Sequence, residues 1–86
     1  MSPRHEDTGT MLDEAIWRFH HNERLYTADI VLIRVFLRGW IDAPVLEKSV
    51  DRQTLDELRR DVREIGDRED LSLWLSRAEE NGLDPL

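Results

Sequence analysis

Cysteine is absent from the 86 residues. That excludes disulfide staples, thiolate metal sites and a cysteine nucleophile, and it leaves stability to packing alone. A chain without cross-links is at home in the reducing cytoplasm, which is the expected compartment. Long apolar runs are missing too. The longest apolar-rich stretch, Ile30 to Leu37, is interrupted by Arg34, and a spanning helix needs about 20 apolar residues. Met1 to Asp7 are polar and hold no hydrophobic core of signal-peptide length. Neither secretion nor membrane insertion is expected. The glycines number only four and stand singly, so there is no glycine-rich phosphate loop. Lysine is nearly missing: Lys48 is the only one, against eleven arginines.

The composition that remains is that of a folded domain. Hydrophobic residues make up 40% and charged residues 36%, a balance typical of globular chains and not of disordered tails. A chain of this length holds one core. The net charge is -7, divided as -2 over residues 1–43 and -5 over residues 44–86. Such a surface repels nucleic-acid phosphates unless its cations gather locally. Arginine forms two-pronged hydrogen bonds to carboxylates, so internal ion pairs are expected.

Periodicity predicts an all-α fold, a small bundle of three to four short helices. Residues 1–9, with Pro3 and Gly9, read as a flexible leader, and residues 10–86 as a single helical domain. Thr10 is a candidate N-cap. Leu12, Ala15, Ile16 and Phe19 then form one face of a helix running to about Arg24. Thr27 restarts the chain. The stretch Ile30 to Arg38 is rich in β-branched residues, which favours a strand. Its cap, its length and the Gly39 stop favour a helix. No second run exists to pair with a strand, so the segment reads as a central helix buried on most sides; the competing reading is a strand paired across a dimer. Trp40 to Pro44 is expected to turn, and Val45 to Lys48 to form one helical turn. Asp51 caps an amphipathic helix with Leu55, Leu58, Val62 and Ile65 inward, ended by Gly66. On its outside, Asp56 with Arg60 and Arg60 with Glu64 are spaced to pair. Asp67 caps the last helix, with Leu71, Trp74, Leu75 and Ala78 on one face and a stop at Gly82.

No constellation of catalytic residues emerges. His20 and His21 are neighbours, and adjacent helical side chains diverge by about 100°, so they do not grip one ion together. The motif Glu-x-x-His of helical metal sites is missing. The serines at 2, 49, 72 and 76 occupy no nucleophile elbow. Paired carboxylates such as Asp13-Glu14 and Glu79-Glu80 are ordinary on solvated helices. The chain is therefore expected to be no enzyme and to need neither metal nor cofactor.

Two binding readings remain. Residues 45–58 have the outline of a helix-turn-helix, with Ser49 in the turn and Val50, Leu55 and Leu58 inward. Arg52, Gln53 and Thr54 would then project from the start of a recognition helix with side chains suited to base edges. Against it, Pro44 and Lys48 interrupt the first helix, and Asp51, Asp56, Glu57 and Asp61 would crowd the phosphates. The preferred reading is a non-catalytic regulator, inhibitor or accessory subunit that binds another protein or itself. Five of the six aromatics lie in the first half, and tryptophan and tyrosine are the usual interface anchors. Trp17 falls one residue off its helix's core stripe, and Trp40 lies just past the Gly39 stop. Trp17, Tyr26 and Trp40 are thus the candidate anchors, with closure of the core as their competing role. An acidic inhibitor offering carboxylates to a basic nucleic-acid groove is a variant of this reading, and it would use Glu57 and Glu64.

Overall fold

Each helix in this protein begins or ends where a particular side chain or a left-handed residue satisfies the free backbone groups. The structure, a computed structural model, describes residues 8–86. Among them are four α-helices and no strand: α1 (Thr8–His20), α2 (Thr27–Ile41), α3 (Arg52–Asp61) and α4 (Arg68–Glu80). Short 3-10 turns span Pro44–Lys48 and Val62–Glu64. The leader expected over 1–9 falls, as far as residue 7, outside the described residues. Thr8 and Gly9 already belong to α1, because a glycine in the first turn does not stop a helix.

α1 ends four residues earlier than its apolar spacing suggests. Asn22 takes a left-handed φ of 57°. The Glu23 N–H then donates to Arg18 O at 2.8 Å, and the Asn22 N–H to Phe19 O at 3.4 Å. This is the paired closure that usually needs glycine, here supplied by asparagine, which tolerates the left-handed region. α4 closes in the same way with glycine: Gly82 has φ 79°, and the Leu83 N–H donates to Ala78 O at 2.9 Å. Leu83 is buried and anchors the turn to the core. Asp51 and Asp67 cap α3 and α4 as their spacing implies, accepting from Thr54 N at 3.2 Å and Asp70 N at 2.8 Å.

The segment at 27–41 is a helix and not a strand. It passes through Gly39, because Ile41 has a place in the core, fully buried. The stop comes instead from Ala43, extended at ψ 126°, as expected of a residue before proline. The helix is not buried on most sides. Ile30, Ile33, Leu37 and Ile41 form its buried stripe, while Val31 is 38% and Val35 62% exposed on the opposite side. Three shorter helices reach around only part of its circumference.

The core joins this stripe to Ala15 of α1, to Val50, Leu55, Leu58, Val62 and Ile65, and to Leu71, Trp74 and Ala78 of α4. The buried Trp74 ring places its Nε1–H on Leu58 O at 2.9 Å. No buried side-chain nitrogen or oxygen among the described residues lacks a partner.

The arginines explain much of the assembly. Arg34 Nη1 donates to Ile65 O and Arg59 Nε to Ile41 O, both at 2.8 Å. Arg68 donates to the carbonyls of Phe19, Arg18 and Glu23. Each guanidinium thus closes the open carbonyls at the end of a different segment, where positive charge also suits the helix dipole. Arg77 is the two-pronged ion pair the composition suggests: Nη2 lies 2.7 Å from Glu57 and Nη1 2.7 Å from Asp61, tying α4 to α3. The pairs expected along α3, Asp56 with Arg60 and Arg60 with Glu64, do not form. Arg60 turns to its neighbour Asp61 at 3.3 Å.

Candidate functional site

α1 and α2 form an αα-hairpin, and its closed end is the most organised polar feature of the surface. Asp29 is the sole buried charged residue described, 5% exposed. One carboxylate oxygen accepts from Arg18 Nη1 at 2.8 Å, the other from the Tyr26 N–H at 2.9 Å. The same side chain therefore caps α2 and pins it to the last turn of α1. Neither partner of this pair announces itself in the sequence, where Asp29 is one acidic residue in a first helical turn.

Two aromatic rings stand on this pinned end. Trp17 precedes Arg18 and is 53% exposed; Tyr26 is 56% exposed. His21 lies flat on the Trp17 ring, centroids 4.0 Å apart and planes 17° off parallel. Its Nδ1 donates to Trp17 O at 2.9 Å, which fixes the ring. The Arg24 guanidinium sits 5.1 Å from the Tyr26 centroid. Each ring thus has a polar neighbour against it and stays about half exposed. Beside Tyr26 a cleft of about 440 Å³ opens between this loop and the one joining α3 to α4, lined by Arg24, Tyr26, Thr27, Gly66, Asp67 and Arg68.

Trp40 does not join them. It is half-buried against the core, and it lies eleven residues beyond Asp29, about 16 Å along α2 at the usual helical rise. Antiparallel packing sends the two tryptophans to opposite ends of the hairpin, whereas a common patch would need both at one end. Glu57 is held by Arg77, and Glu64 is exposed at the end of the 3-10 turn that follows α3. Arg52 and Gln53 are exposed and Thr54 is half-buried at the start of α3. The segment before them is a single 3-10 turn from Pro44 to Lys48, where a helix-turn-helix has a full first helix. Arg52 and Arg60 share the outer side of α3 with Asp56, Arg63 and Glu64 are exposed in the 3-10 turn that follows it, and Arg59 is turned away to the end of α2.

Other clefts lie elsewhere on the surface. One of about 280 Å³ between the end of α1 and α4 contains His20, Ser72, Ser76 and Glu79, with no hydrogen bond linking any two of them. Among the described residues no group of three histidine or carboxylate side chains stands close enough to hold a metal ion. None of the helices there is long and apolar enough to cross a membrane. Compared with known protein families, curated proteins and solved structures, the chain finds no match.

Proposed function

We propose that this is a non-catalytic protein-binding regulator or accessory subunit whose contact surface is the closed end of the α1–α2 hairpin. The observation that carries the reading is the pair of half-exposed rings, Trp17 in the last turn of α1 and Tyr26 at the start of α2, on a hairpin end held by the buried Asp29. Rings already fixed by their neighbours lose little conformational freedom on binding, which is what makes aromatic residues effective anchors. The cleft beside Tyr26 offers room for a side chain of the partner, and Arg24 at its edge favours an acidic or carbonyl-rich contact. The variant in which carboxylates imitate a phosphate backbone gains less support, since Glu57 and Asp61 are neutralised by Arg77.

The test is affinity capture from extracts of the native host, with the wild-type chain and with Trp17→Ser and Tyr26→Ser. A specific partner retained by the wild type should be lost by the double variant, with an unchanged melting temperature. Each anchor is worth about 2 kcal/mol, roughly thirtyfold in Kd. Retention of the same partner by the double variant refutes the proposal. Glu64→Lys serves as the control and should leave capture intact.

A further inference from the structure

Arg24 differs from the other arginines of the hairpin end. Arg18 is paired with Asp29, and Arg68 directs its donors to the carbonyls of Phe19, Arg18 and Glu23. Arg24 is exposed, and its guanidinium meets no hydrogen-bond acceptor or carboxylate among the described residues; it lies 5.1 Å from the centre of the Tyr26 ring. The cleft that it borders has one acidic side chain in its wall, Asp67. That carboxylate is turned to the Asp70 N–H at 2.8 Å as the cap of α4, and no ion pair joins it to Arg24. With Arg24 and Arg68 against Asp67, the cleft carries one net positive charge on a chain whose net charge is -7.

The backbone on both sides of Arg24 is held. The Glu23 carbonyl accepts from Arg68, and the Tyr26 N–H donates to Asp29 at 2.9 Å. The guanidinium is thus restrained by its backbone and by the aromatic ring against it, so it has less freedom to lose on binding than an arginine on open surface. Its unfilled donors form a fork that fits the two oxygens of one carboxylate. Leu25, Tyr26 and Ile30 give the same cleft an apolar side, against which the methylene stem of an acidic side chain is taken out of water. We propose that the partner bound at the hairpin end inserts a glutamate or aspartate carboxylate into this cleft, where Arg24 receives it in a two-pronged hydrogen bond. This rests on the protein-binding reading above and sharpens it to the chemistry of the partner. A nucleic-acid strand is a poorer occupant. It is held through several phosphates at once, whereas this cleft offers one arginine with free donors and sets Asp67 in its wall. A main-chain carbonyl is poorer too, since it brings one oxygen and no charge to the fork.

A displayed library of short random peptides, selected on the immobilised full chain, tests this. Sequences enriched on the wild type should share a glutamate or an aspartate. Selection on Arg24→Gln should lose that preference, and selection on the double variant of Trp17→Ser and Tyr26→Ser should lose the enrichment altogether. For one selected peptide, isothermal titration should show Kd rising about tenfold when its acid is replaced by the amide, and by a similar factor with Arg24→Gln. The two changes together should weaken binding little more than either alone, as a direct contact requires. Arg24→Lys should recover only part of the affinity, because it keeps the charge without the fork. Since Arg24 is exposed, its variants should keep the wild-type melting temperature. Enrichment that depends on Trp17 and Tyr26 but shows no acidic preference overturns this proposal and leaves the hairpin-end reading standing. So does an acidic preference that survives Arg24→Gln. No enrichment over the double variant overturns both. A single-stranded oligonucleotide bound by the wild type and released by Arg24→Gln would give the cleft to nucleic acid, and that also overturns the proposal.

Discussion

Asp29→Ala is the sharpest perturbation of this fold, because one side chain does two jobs. Its carboxylate caps α2 through the Tyr26 N–H and pairs with Arg18 across the hairpin. Removing an acidic cap costs about 1 kcal/mol. Losing a short hydrogen bond between charged groups adds about 1.5 kcal/mol, toward the low end because Arg18 can turn to solvent with a side chain already 35% exposed. The expected loss is about 2–3 kcal/mol, which in a domain of this size lowers the melting temperature by roughly 10–20 °C. Asp29→Asn keeps an oxygen for the Tyr26 N–H and should lose about half as much. Urea unfolding followed by circular dichroism gives these values. Combining Asp29→Ala with Arg18→Ala isolates the pair, and the cycle should return a coupling of about 1 kcal/mol. A loss below about 0.5 kcal/mol for Asp29→Ala, or a coupling near zero, would refute the argument that this buried carboxylate holds the hairpin end in place.

Two further substitutions separate structural from exposed residues. Trp40→Ala should destabilise by about 2 kcal/mol, less than a fully buried tryptophan because the ring is half covered, whereas Trp17→Ala should stay within about 0.5 kcal/mol in the same thermal melt. Arg77→Met should cost about 1 kcal/mol in dilute buffer, and this deficit should shrink in high salt, since the bridged Glu57 and Asp61 are partly solvated.

Where the sequence was legible, apolar spacing and local caps pointed the same way. Leu55, Leu58, Val62 and Ile65 are all buried, and the Asp51 and Asp67 caps are in place. Boundaries failed where the deciding term was tertiary or unusual. Gly39 looks like a stop, yet the core contact of Ile41 and the restraint of Pro44 decide the end of α2. Asn22 closes α1 in a conformation most often given to glycine. The solvent side of Ile30 to Arg38 was hidden by composition, because two valines outside read the same as two valines inside.

The site was legible only in part, for a related reason. A helical wheel reports which face a residue occupies, but not how far along a hairpin it lies. Trp17 is exposed as its position off the core stripe suggested, Tyr26 is exposed beside it, and the antiparallel return of α2 carries Trp40 away from them. The arginines show the same limit from the other side. An excess of arginine over lysine suggests carboxylate partners, and Arg77 and Arg18 have them. Arg34 and Arg68 instead donate to carbonyls where segments end, and Arg59 does so while also facing Asp42 and Glu47, a role that residue type alone cannot distinguish. A lysine there would keep the charge but not the planar fan of donors that lets Arg68 reach three carbonyls of one helix end. The arginines left over, Arg24, Arg38, Arg52 and Arg63, have no carboxylate partner among the described residues. It is these, with the half-exposed Trp17 and Tyr26, whose placement the packing of one chain explains least, and they are therefore where its contacts with other chains should be sought.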